Sequence, residues 1–164
     1  MPQPELSVAT ICTGNICRSP MAEVVLKHLI AGDPELAGHV LVTSAGTANW
    51  HVGSAMDPRA REALNRAGYR LDGSRGAYAS REFLDAQDVV VVMTREHLAD
   101  VRARLTNPRT EVVLWRHLID PTKDLDVADP YYGEDAEFDD CLEVITAGGE
   151  ALLSRLRSRL AQRH

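Results

Sequence analysis

The chain has 164 residues, 45% of them hydrophobic and 26% charged, with a formal net charge of −6. That size and apolar share suit a packed domain with its own core and exclude an intrinsically disordered chain. The acidic balance argues against a broad nucleic-acid surface, and no apolar run reaches membrane-spanning length.

The predicted elements alternate in chain order. Leu6 to Ile11 is an apolar run that predicts a first buried strand, and Pro20 to Ile30 is an apolar-periodic stretch that predicts a helix. Val40 to Thr43 predicts a second strand. Asp57 is placed to cap a helix with Pro58 at its first position, and Gly68 is placed to end it. Val89 to Met93 is an uninterrupted, mostly β-branched run, as in a strand covered on both faces. Arg95 to Leu105 predicts a helix, Val112 to Trp115 a fourth strand, and Glu134 to Leu160 a long terminal helix. This alternation predicts an α/β fold in three layers, a four-stranded parallel sheet with helices on both faces. Ligands bind such sheets beyond the carboxyl ends of the strands, where residue 12 falls. No repeat, low-complexity tract or linker divides the sequence, so residues 1–164 are expected to form a single domain. Met1-Pro2-Gln3-Pro4-Glu5 carries neither a basic region nor an apolar signal core, so the expected location is the cytoplasm.

The most informative segment is Cys12-Thr13-Gly14-Asn15-Ile16-Cys17-Arg18-Ser19, between the first strand and the first helix. A strand-to-helix turn of small residues can aim successive backbone N–H groups inward as a nest for a tetrahedral anion. The following helix adds its unpaired N–H groups and positive dipole end. Cys12 sits in that field, which favours the nucleophilic thiolate. Arg18 can meet two phosphate oxygens with its planar fork, as a lysine could not. Gly14 permits close backbone approach, and Asn15 tolerates the left-handed conformation that such a loop needs. Ser19 offers a hydroxyl to the thiolate or to the free helix N–H groups. The bare Cys-x5-Arg-Ser pattern is weakly specific; the strand before it and the helix after it give it weight.

The second informative segment is Asp129-Pro130-Tyr131-Tyr132-Gly133. A phosphate monoester departs with its bridging oxygen, and that departure is helped by a proton from a positioned carboxylic acid. Asp129 is the natural candidate, and Tyr131 and Tyr132 can wall a slot for an aromatic leaving group.

Together these segments resemble the low-molecular-weight protein tyrosine phosphatase family over nearly the whole chain, in its actinobacterial form. Residues 12–20 resemble its phosphate loop and residues 129–133 its general-acid loop. Thr43-Ser44-Ala45-Gly46-Thr47 and Trp50-His51-Val52-Gly53 are similar to its second-strand exit and aromatic rim, and Asp57-Pro58-Arg59-Ala60 to its next helix start. The resemblance implies hydrolysis of phosphotyrosine in protein substrates through a cysteinyl-phosphate, releasing inorganic phosphate without a cofactor or metal. It implies Cys12 as nucleophile and Asp129 as acid, then base. Arg18 and the backbone N–H groups of Thr13, Gly14, Asn15, Ile16 and Cys17 would hold the phosphoryl oxygens, with Ser19 stabilising the thiolate. Ser44 would support Asn15, and Trp50, Tyr131 and Tyr132 would grip the ring. The implied partners include neither nucleic acid nor membrane, and a monomer is expected. Two positions depart from the family's usual pattern. Thr94 follows Met93 where many relatives have aspartate, and Leu71 to Gly76, with Gly73 in its middle, lacks the histidine often found there. Both departures bear on how the loops around the site are braced, and so on substrate preference.

Two other classes fit the sequence less well. A thioredoxin-coupled arsenate reductase needs a further cysteine pair near residues 75 to 90, and none is present there. A catalytically silent phosphotyrosine-binding module is expected to lack Cys12, Arg18 or Asp129; all three are present. Cys12 and Cys17 share one loop, so a reversible bond between them and simple packing of Cys17 in a tight turn both remain open. Cys141 is expected to pack as a small hydrophobe on the last helix, and Trp115 and Phe138 to lie in the core. The six histidines show no metal-ligand spacing and are expected to be exposed or structural. Asp120-Pro121 is expected to be a simple turn. The acidic residues from Glu134 to Glu143 and the arginines from Arg155 to Arg163 are expected to complement the dipole of the last helix.

Overall fold

The computed structural model describes residues 3–163, so His164 and the first two residues of the N-terminal segment lie outside it. Four strands, β1 (Leu6–Cys12), β2 (Val40–Gly46), β3 (Val89–Val92) and β4 (Glu111–Leu114), form one sheet. Between and after them run α1 (Arg18–Ala31), α2 (Pro58–Arg66), α3 (Arg81–Asp85), α4 (Arg95–Arg104), α5 (Trp115–Ile119) and α6 (Asp135–Ala161). The sheet order is β2-β1-β3-β4, and every pairing is parallel, with Cys12 opposite Gly46 and Ile11 opposite Val92. The predicted four-stranded parallel sheet is therefore present.

Both faces are covered. Val8, Val89 and Val91 pack with Met21, Val25, Trp115, Phe138 and Ile145 in the larger core beneath α1, α5 and α6. Ala9, Ile11, Val90 and Val92 point the other way, against Leu84 of α3 and Val101 of α4. The alternation of side chains along β3 explains why four consecutive valines are all buried. The chain goes from β1 to β2 on one side and returns to β3 on the other, so the crevice between the ends of β1 and β3 is the topological switch point. Cys12 ends β1 at that crevice.

Several local expectations hold in detail. Asp57 Oδ1 accepts from Arg59 N at 2.8 Å with Pro58 at the first helical position. Gly68 has φ +87°, and its N–H reaches Asn65 O while that of Tyr69 reaches Leu64 O, the paired bonds of a Schellman motif. Asp120 Oδ1 accepts from Thr122 N at 3.0 Å, which makes Asp120-Pro121 a turn. Trp115, Phe138 and Cys141 are buried. Several boundaries differ from expectation, most by one residue and a few by more. The first helix starts at Arg18 rather than Pro20, because the loop itself curls into the first turn. The fourth strand stops at Leu114, and Trp115 opens the short helix α5 instead of ending the strand. The second strand runs on to Gly46. The arginines of α6 do more than complement its dipole: Arg157 pairs with Asp33, and Arg155 and Arg159 with Glu111, while Arg163 just past its end pairs with Asp88.

Trp115 Nε1 donates to Val144 O at 3.2 Å, and the indole presses on Gly148 so closely that a Cβ there would meet Nε1 at 2.2 Å. Gly148→Ala adds about 1 kcal/mol of helix propensity. It also forces a fully buried ring to move, and overpacking of that kind costs more. The expected result is a net loss of roughly 1–2 kcal/mol, read as a lower denaturant midpoint with altered tryptophan fluorescence.

His97, in the first turn of α4, is only 2% exposed. Burial, with the Arg18 guanidinium nearby, pushes its imidazole down from 6.5 to about 4. The unfolded chain therefore takes up a proton that the native state refuses. Stability is complete above pH 6.5 and is lost as pH falls toward 4, by on the order of 3 kcal/mol. Unfolding midpoints measured from neutrality down to pH 4 are expected to show this slope, and His97→Gln to flatten it.

Candidate active site

Residues 12–17 leave β1 and wrap around the open end of α1. That helix has no acidic residue in its first turn, and its N-cap, Cys17, makes no side-chain capping bond. Its first N–H groups and positive end are thus left for an anion rather than satisfied within the chain. The loop lies tightly on the end of β2. Thr47 N donates to Cys12 O at 2.9 Å and Ala48 N to Thr13 O at 3.0 Å. Gly46 is required there, since a Cβ would stand 2.5 Å from Thr13 O.

Asn15 adopts the left-handed conformation, φ 57°, and is buried below the loop. Ala77 N donates to its Oδ1 at 2.9 Å, which fixes the amide so that Nδ2 is the donor to Ser19 Oγ at 2.7 Å and Ser44 Oγ at 2.9 Å. Each hydroxyl then passes its own proton onward. Ser44 donates to Glu23 Oε1 at 2.5 Å, and Ser19 Oγ lies 3.0 Å from Cys12 Sγ, to which it donates when the sulfur is ionised. A chain of hydrogen bonds therefore runs from the buried amide to the sulfur. Glu23 is itself buried and also accepts from Ser74 Oγ at 2.8 Å and Lys27 Nζ at 2.6 Å; Lys27 in turn pairs with Asp72. The segment that lacks the family's histidine is thus held by Ser74, and the positive φ of Gly73 makes the turn that brings it in. Thr94, the other departure, caps α4 by accepting from His97 N at 3.1 Å.

Arg18 is buried, with Nη1 donating to Val127 O at 3.0 Å and Nη2 standing 3.4 Å from Asp129 Oδ2. Asp129 is half exposed and also accepts from Tyr131 N at 3.1 Å. The loop that carries it is held at three points. Val127 N donates to Met93 O at 2.8 Å, Gly133 N to Pro130 O at 2.8 Å, and Arg59 Nη1 to Gly133 O at 3.0 Å. Arg59 is oriented by Asp57 and lies over the rings of Tyr131 and Phe138.

These parts enclose a cavity of about 220 Å³ lined by Cys12, Thr13, Gly14, Ile16, Cys17 and Arg18, with Trp50, His51, Asp129, Tyr131 and Tyr132 above. Trp50 is 73% and Tyr132 92% exposed, while Tyr131 meets Tyr132 edge to face at 5.0 Å. Asn15, Ser19 and Ser44 do not line the cavity; they brace the loop from beneath. Burial, reinforced by Asp57, pushes the Cys17 thiol up, so at neutral pH it is protonated and packs as a small group. Burial pushes Cys141 up to about 12. Sequence reasoning missed Glu23, Ser74, Arg59, His51 and His97. Glu23 and Lys27 look like an ordinary exposed i,i+4 pair, and the signal that would have found them is that the helix around them is apolar on nearly every side.

Comparison with known proteins agrees with this geometry. The family model described as low molecular weight phosphotyrosine protein phosphatase matches residues 7–162. The chain is 39% identical over 165 residues to the low molecular weight protein-tyrosine-phosphatase of Streptomyces coelicolor, covering 95% of this chain and 96% of the relative. It is 42% identical over 164 residues to low molecular weight protein-tyrosine phosphatase A of Mycobacterium tuberculosis, covering 96% and 95%. The crystal structure of YfkJ from Bacillus subtilis superposes with a TM-score of 0.83 at 31% identity, covering 97% of this chain and 99% of that one. The chain belongs to the low molecular weight phosphotyrosine protein phosphatase family.

Proposed function

We propose that the protein hydrolyses phosphotyrosine in protein substrates by two transfers of the phosphoryl group. Cys12 Sγ attacks phosphorus from the cavity floor, the S–P bond forms and the P–O bond to the ring breaks. Asp129 gives its proton to the departing phenolate oxygen. Water then attacks the cysteinyl-phosphate and Asp129 takes its proton. The S–P bond breaks, the thiolate is restored, and inorganic phosphate leaves. Ser19 donates to the sulfur in both the attacking and the leaving state. Arg18 and the N–H groups of residues 13–18 face the equatorial oxygens as charge builds on them. Trp50, Tyr131 and Tyr132 hold the aromatic ring.

The observation that carries this reading is the placement of Asp129 Oδ2 3.4 Å from Arg18 Nη2 at the mouth of the cavity whose floor is Cys12. Nucleophile and clamp come from one loop after β1, the acid from a loop beyond α5 far later in the chain, and they meet at one opening. No cofactor or metal enters the proposed steps. The proposal also has the protein act as a monomer in the cytoplasm. No helix among the described residues is long and apolar enough to cross a membrane.

Two measurements test it. Cys12→Ser is expected to abolish turnover of an aryl phosphate while phosphate still binds, as followed by competition or calorimetry; normal turnover would remove Cys12 as nucleophile. Asp129→Ala is expected to slow hydrolysis by roughly 10²–10⁴-fold for a phenol that leaves poorly, and much less for one that leaves well. An equal effect on both leaving groups would remove Asp129 as the acid.

A further inference from the structure

His97 is the one buried histidine of the described residues, and the catalytic steps above leave it without a task. It sits in the first turn of α4, beyond the end of β3, while the phosphate loop leaves the end of β1. β1 and β3 are neighbours in the sheet, so the two turns face each other across the switch point. The contact between them is short and single. His97 Nε2 lies 2.7 Å from Oγ1 of Thr13, the residue after the nucleophile and part of the cavity wall.

The other ring nitrogen decides the direction of that bond. Nδ1 is buried and has no hydrogen-bond partner. A neutral imidazole carries one N–H, so either an N–H or a lone pair is left unmet at Nδ1. A buried orphan donor is the rarer and costlier case, since acceptors are more often left under-satisfied. Burial and the nearby Arg18 cation both keep the ring neutral. The proton therefore belongs on Nε2, which donates to Thr13 Oγ1. Thr13 then accepts from the histidine, and its own O–H is released from the protein side to turn toward the cavity.

We infer that His97 is a positioning residue for the phosphate loop, which through an Nε2–H bond presents the Thr13 hydroxyl as an added donor to the bound phosphoryl group. It rests on the reading of residues 12–18 as the phosphate cradle. The bond anchors the loop from the β3 side, opposite the Asn15 anchor on the β2 side. His97 touches no substrate in this arrangement; it acts through Thr13.

The test uses the full chain with inorganic phosphate as probe, in a double-mutant cycle. His97→Leu and Thr13→Val are each expected to weaken phosphate binding by roughly 3- to 10-fold, the range for one hydrogen bond. The double variant is expected to be no weaker than either single one, and His97→Gln, which keeps a donor, to recover most of the loss. Effects that multiply in the double variant, or His97→Leu binding phosphate as the parent does, would overturn the inference. A second measurement needs no substitution. Nitrogen-15 NMR of the parent imidazole is expected to show the proton on Nε2 of His97 with and without phosphate, and a proton on Nδ1 would also overturn it. If the parent chain bound no phosphate at all, the cradle itself would be in error; normal phosphate binding with a silent His97 would sink only this inference.

Discussion

One carboxamide holds the loop that carries the chemistry. The amide of Asn15 accepts from Ala77 N and donates to Ser19 and Ser44 from a residue whose backbone is left-handed, in a site closed to solvent. Because the oxygen is committed, both amide protons have their places: one goes to Ser44, which donates on to Glu23, and the other to Ser19, whose hydroxyl meets the sulfur of Cys12. A buried polar network is worth having only when each member is satisfied, and this one is. Its far end is also closed, since the buried carboxylate of Glu23 receives Lys27 and Ser74 as well as Ser44. An isolated carboxylate at that depth would be strongly disfavoured.

The parallel sheet explains why so many distant residues can reach one opening. Its strands all end on the same side, so the turns after β1, β2 and β3 stand side by side. From the first comes the nucleophile loop, from the second Gly46 and the backbone that grips Thr13, and from the third Met93, which holds Val127. Val127 in turn accepts from Arg18, so the clamp and the acid loop share a support.

What could be read from the sequence and what could not divide along a physical line. Long buried strands and capped helices announce themselves locally: the valine run of β3, Asp57-Pro58 at the start of α2, and Gly68 at its end all carry their signal within a few residues. Helices α3 and α5, of five residues each, are too short to show a period, and Trp115 read as strand because an aromatic followed a β-branched run. At the site, Cys12, Arg18 and Asp129 were legible because their chemistry demands particular residue types at a particular spacing. Glu23, Ser74 and His97 were not. Each is a common residue whose role depends on partners 21, 51 and 84 positions away, and no local pattern encodes such a meeting. The two departures from the family pattern were visible, but their effect was not: Thr94 serves as a helix cap, and the turn at Gly73 lets a serine reach the buried glutamate.

Arg59 joins the start of α2 to the backbone of Gly133, while its plane rests on Tyr131 and Phe138. Such a strut leaves the proton donor already in place before any ligand arrives. What enters then meets walls already set by Trp50, Tyr131 and Tyr132 over a floor of Cys12.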